Sequence, residues 1–265
     1  MKKYLFILAS LFVYCDSLEA QYLKVPIGKK FKVVTQTSNS IEVTIQDQHQ
    51  EVRNESLAYH DLELKAITQT GYTLELTPRR FKMNMNMMGM EQKLDTDSLE
   101  GMQGADLSSM KSMLNQPITI VMDSNKLVSK TQLAQLPAIA NNTDDASRYF
   151  LLLEASNTIQ GYQWADSSIS KDLRTVNHYT VMSVTATEIE LNVTTDSRIN
   201  TVTSMQGTEI KQNMKGFSTA RRWYNKNNGL LLKEESTTDM AGTTETPETS
   251  SPMTLKIVLK VVVEQ

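Results

Sequence analysis

The sequence predicts a mainly β protein: curved antiparallel sheets, half-barrel-like, from two related β units with two or three short helices. Three observations carry this expectation. Apolar and polar residues alternate over many short segments, those segments are rich in Val, Ile, Thr and Tyr, and helical spacing is scarce. Alternation of period two gives a strand one apolar and one polar face, the pattern of a sheet wetted on one side.

The chain opens Met1-Lys2-Lys3, continues with an apolar run from Tyr4 to Tyr14, and reaches Ser17-Leu18-Glu19-Ala20 ahead of Gln21. A basic start, a short apolar centre and a small residue at the end read as a secretory signal over residues 1–20. The expected location is therefore periplasmic or secreted. Tyr14 stands where a lipidating peptidase needs a small residue, so cleavage after Ala20 is favoured over lipid attachment at Cys15. The apolar run is shorter than the ~20 residues of a spanning helix, so the product is not expected to be an integral membrane protein.

After cleavage no cysteine remains, which excludes disulfides, thiolate metal sites and a cysteine nucleophile. The net charge is −3 and loss of the signal leaves it there, too near neutral to make nucleic acid the main partner. Roughly 245 residues suffice for one large domain or two small ones.

Strand signals begin at Ile27-Gly28-Lys29-Lys30-Phe31 and alternate through Ile41-Glu42-Val43-Thr44-Ile45 and Tyr72-Thr73-Leu74-Glu75-Leu76. Phe81-Lys82-Met83-Asn84-Met85-Asn86-Met87-Met88-Gly89-Met90 then sets a thioether at nearly every second position. Methionine is flexible and polarizable, so such a row makes an adaptable apolar surface. Met83, Met85, Met87, Met88 and Met90 are accordingly the candidate ligand-binding residues.

Ala105 to Leu114 has helical spacing of Leu107, Met110, Met113 and Leu114 and stops before Pro117; a second helix is expected from about Thr143 to Ala155, and a helical turn between Thr131 and Asn141. Met122-Asp123-Ser124-Asn125-Lys126 and Asn225-Lys226-Asn227-Asn228-Gly229 read as hairpin turns. Ser236 to Ser251, rich in Thr, Ser and Glu, reads as a solvated loop before a long final strand from Met253 to Val263.

The order of segments recurs. Leu62 to Leu64, Tyr72 to Leu76, the Met83–Leu94 strand pair and the hairpin around Asp123 are followed by Tyr179 to Val181, Ile189 to Leu191, Ile199 to Met214 and the hairpin around Asn228. This suggests a first unit over 21–155 and a second over 156–265, packed as one globular body. Together with Met205-Gln206-Gly207-Thr208-Glu209-Ile210 and Asn228-Gly229-Leu230-Leu231, the pattern resembles a domain-of-unknown-function family of secreted Gram-negative bacterial proteins. That resemblance implies location and repeat architecture but carries over no site residues. Half-barrels of this kind also resemble carriers of lipids and lipoproteins, a similarity of architecture alone.

No motif for catalysis is present: there is no Gly-x-Ser-x-Gly, no His-Glu-x-x-His and no phosphate-cradling glycine loop, so an enzyme is not expected. His60 and Asp61 are neighbours, but adjacent strand residues point to opposite faces. Thioethers are ligands that Cu(I) selects, yet His49, His60 and His178 stand away from the methionine row, and an apolar face is the favoured reading. Asp95, Asp97, Asp144 and Asp145 lack the further oxygen ligands of a calcium loop. Neither metal nor cofactor is therefore expected. Arg79-Arg80 and Arg221-Arg222 offer paired cations for a head group or carboxylate, against the favoured reading of a charged strand face. The partners expected are an apolar small molecule such as a lipid acyl chain or, alternatively, a protein of the cell envelope.

Overall fold

The computed structural model describes residues 24–45, 48–67, 71–87, 89–98, 114–123, 128–129, 146–151, 153, 155–169, 172–205 and 208–264. Residues 1–20, the run from Ala105 to Met113 and the turn between Thr131 and Asn141 lie outside them, as does Met88.

Among the described residues, twelve strands form one antiparallel sheet. They are β1 (Lys30–Ile45), β2 (Gln48–Ile67), β3 (Gly71–Met87), β4 (Met90–Asp95), β5 (Ile118–Asp123), β6 (Val128–Ser129), β7 (Gln163–Ile169), β8 (Leu173–Val184), β9 (Glu188–Met205), β10 (Thr208–Asn225), β11 (Leu231–Glu245) and β12 (Ser250–Glu264). The order across the sheet is β6-β5-β3-β2-β1-β12-β11-β10-β9-β8-β7, with β4 beside the far half of β3. Two meanders thus meet where the first strand pairs with the last, in register from Lys32↔Glu264 to Val43↔Met253. The outermost strands β6 and β7 are not paired to each other, so the sheet is curled but not closed.

One face carries the core. Leu62, Leu64, Leu74, Leu76, Val33 and Val261 of the first arm and centre, and Val181, Ile189, Leu191 and Leu231 of the second, are buried in a single cluster. Strands that far apart along a sheet share a core only if the sheet curls toward that face. Each fully buried Leu or Ile contributes about 1.5–3 kcal/mol, which suits a fold without disulfides. The segment Tyr149–Leu151 fills the bend: Phe150 meets Tyr72 edge-on at 5.4 Å and bridges to Leu230, while Tyr224 Oη donates to the Arg148 carbonyl at 2.9 Å.

The structure departs from the expectation in two segments. Ser236 to Ser251 is mostly strand: β11 runs to Glu245, β12 begins at Ser250, and only the residues between them turn. Its threonines are β-branched, and β10 and β12 pair with it on both sides, which overrides a composition that looks like a loop. The segment from Thr143 to Ala155 is not one α-helix either. Its described residues make a 3-10 helix at Ala146–Tyr149 and an extended bridge at Phe150, and a second 3-10 helix follows at Ala155–Asn157. Docking Phe150 between the two arms outweighs local helical spacing. Both hairpins agree with the expectation: Asn225 N–H bonds the Leu230 carbonyl, and Met122 pairs with Val128.

His60 faces the core beside Val33 and Pro78, whereas Asp61 points the other way and accepts from Arg79 Nε at 2.7 Å. Burial pushes the His60 imidazole down to about 4, although Asp61 opposes this. Between pH 6.5 and about 4 the unfolded chain binds the proton more readily than the fold, so stability falls as pH falls through that window and the loss is complete below it. The loss should approach about 3 kcal/mol. Urea unfolding at several pH values checks it, and His60→Phe should flatten the dependence. Asp95, held well below the usual carboxylate range by Arg80, loses its stabilising charge only at lower pH and does not mask the effect.

Candidate functional site on the inner face

The methionine row lies on the core side only because of a bulge. Tyr72, Leu74, Leu76 and Pro78 of β3 face inward at even positions, but the register slips between Tyr59↔Arg80 and His60↔Pro78, so Phe81, Met83, Met85 and Met87 face inward at odd ones. Proline has no N–H to give the ladder, which explains the slip at this point. Arg79, the extra residue, is held by Asp61 and by Asn115 Oδ1 at 2.6 Å. The run of methionines then breaks. Gly89, at φ 83°, turns the chain, and Met90 begins β4 opposite Met87.

Met83 and Met85 are half-buried, while Met87 and Met90 are 37% and 62% exposed at the rim. Beside them on the same face, the register places Val52 opposite Met87, Ile41 opposite Val52 and Leu255 opposite Ile41. Met240 lies opposite Leu255, and the next row joins Val43, Met253, Gly242, Met214 and Ile199. Met214 and Met240 are buried but do not belong to the main core cluster. The far half of the inner face is thus a second apolar surface, of which sequence reading found only the β3–β4 part.

Between the two apolar regions runs a polar belt. Asn54 pairs with Asn39 across β2 and β1; after Ile257, the register continues through Thr238, Ser218, Thr195, Asn177 and Asp166 to β7. The β7–β11 side is knitted together: Thr238 Oγ1 donates to Ser218 Oγ at 3.0 Å, Thr195 Oγ1 to Asn177 Oδ1 at 2.8 Å, and Asn177 Nδ2 to Asp166 Oδ1 at 2.8 Å. Oδ1 of Asn39 and of Asn54 are buried with no hydrogen-bond partner.

The paired arginines are engaged. Arg80 grips Asp95 through Nε at 3.0 Å and Nη2 at 2.7 Å and reaches Asp97 at 2.8 Å; Arg221 pairs with Glu190 and lies over the Trp223 ring. With Arg79, these two form the charged outer face. Arg222 is different, since it faces inward in the core and meets Glu234 at 3.0 Å. An open groove of about 400 Å³ on the outer face includes Arg221, Glu235 and Lys260, whose charges already lie in alternation. Among the described residues, no group of three or more His, Cys, Asp or Glu side chains is placed to hold a metal ion, and no helix is long and apolar enough to cross a membrane.

A curled, unclosed antiparallel sheet with an apolar inner face is the class of protein these features define. No family model matches the chain, and no curated protein matches it. A solved structure described as "Lipid-protein interactions in lipovitellin" is similar in fold, with a TM-score of 0.54 at 9% identity over 91% of this chain. The chain spans 25% of that lipovitellin chain. An alignment with Pseudomonas aeruginosa OccK8 (OprE) covers 89% of this chain at 8% identity, with a TM-score of 0.16.

Proposed function

We propose that this is a non-enzymatic periplasmic or secreted binding protein whose inner face takes an apolar ligand such as a lipid acyl chain. The observation that carries the reading is the second apolar surface: Val52, Ile41, Leu255 and Met253 are half-buried beside Met87 on a sheet that does not close. Flexible thioethers beside branched side chains give an apolar wall that adapts to a chain of methylenes. The fold likeness to lipovitellin, whose structure concerns lipid–protein interactions, supports the same reading.

Native mass spectrometry of protein purified from its own envelope tests it, together with uptake of a fluorescent acyl probe. Bound lipid and saturable uptake are expected. A clean mass with no uptake favours instead a structural or interaction module of the envelope. Replacing Met83, Met85 and Met87 by Leu keeps apolar volume, so stability should shift by less than about 1.5 kcal/mol per site. Probe affinity should shift more than stability, because leucine is stiffer than methionine.

A further inference from the structure

We infer that Asn39 and Asn54 form a head-group site, selecting a neutral amphiphile whose head donates hydrogen bonds, such as a hydroxyl-bearing acylglycerol. This rests on the proposed acyl binding and names the class of ligand. The two side chains lie directly opposite each other on the inner face, flanked by Met85 on β3 and Ile257 on β12. Their Oδ1 atoms are buried and unpartnered, whereas the hydroxyls and amides further along the belt bond to one another.

A buried acceptor without a donor is costly, and two of them side by side ask for a ligand that brings donors. A hydroxyl or amide N–H meets that need; an ionised carboxylate offers only further acceptors. Asp166, at the far end of the same belt, adds negative charge to it. The apolar rows of Ile41, Leu255 and Met87 begin one step beyond the asparagines, so a head seated here leaves its chain on the second apolar surface. Asn84 also has a buried unpartnered Oδ1, but it is on the outer face between Glu55 and Lys93, and its amide bonds Glu91. It belongs to the charged surface.

The test uses the full chain and three probes with one acyl chain: monolauroylglycerol, the same lipid with both hydroxyls O-methylated, and laurate, each displacing a bound fluorescent acyl probe. Monolauroylglycerol should bind about tenfold more tightly than its methylated form, the effect of leaving buried acceptors unmet. Laurate at neutral pH should also bind more weakly. In the double variant Asn39→Leu with Asn54→Leu the preference should vanish while the methylated lipid still binds. If none of the three probes displaces the fluorophore, acyl binding itself fails. If all three bind the unmodified protein equally, or the double variant keeps the preference, acyl binding stands and the head-group site is overturned. The three-probe comparison decides even if the double variant does not fold.

Discussion

Arg222→Met should destabilise the protein by about 3–5 kcal/mol, because it leaves the Glu234 carboxylate buried without its main partner. Glu234 is 2% exposed and Arg222 7%, and the two meet across β10 and β11 inside the apolar core. Arg148, from the segment that carries Phe150, approaches the same carboxylate at 3.5 Å, so the pair also ties that segment to the sheet. Replacing both partners, Arg222→Met with Glu234→Leu, should cost far less than the sum of the single changes. Isosteric apolar pairs often match a buried ion pair in stability. Urea denaturation of the two single variants and the double one gives the coupling, expected to exceed about 2 kcal/mol. Additive single effects would show that the two charges do not depend on each other.

Gly242→Ala should cost about 2–3 kcal/mol, at the upper end for overpacking. A Cβ there would fall on the Asn213 carbonyl oxygen and within 2.8 Å of the Met214 Cα, both backbone positions of β10 that cannot turn aside. The β10–β11 ladder would have to part at the second apolar surface. Gly216, one strand over, is the hollow into which Met240 packs; a Cβ there meets the Met240 side chain and lies 2.6 Å from the Asp239 carbonyl oxygen. Its alanine variant should lower stability as well, but by less, since the backbone oxygen it meets is farther away than the one at Gly242 and the methionine side chain can repack. Thermal unfolding of both variants checks the ranking, and a neutral Gly242→Ala would mean that β10 and β11 are not so close.

The strands were legible because their alternation is local, and the methionine face was legible for the same reason. Its side of the sheet was not. That depends on the bulge at Pro78-Arg79, and only the proline hinted at it in sequence. The pairing of β1 with β12 brings together the two ends of the described chain, and nothing local to either strand announces it. The Thr-rich segment misled because its composition suits a loop as well as a central strand, and neighbours on both sides decide between them. The belt was invisible for a different reason: Asn39, Asn54, Thr238, Ser218, Thr195 and Asn177 come from six strands, and only the register aligns them. The buried Arg222 looked like a surface charge because its neighbour Arg221 is one, and alternation alone sends the two to opposite faces.

Photocrosslinking tests acyl binding to the inner face most directly. A monoacylglycerol carrying a diazirine along its chain is bound, irradiated, and its adducts are mapped by peptide mass spectrometry. If the second apolar surface takes the chain, adducts fall on inner-face residues such as Ile41, Val52, Met87 and Leu255 and are competed away by unlabelled lipid. Adducts confined to outer-face residues such as Lys82, Arg221 and Lys260, or adducts that unlabelled lipid does not reduce, would contradict it.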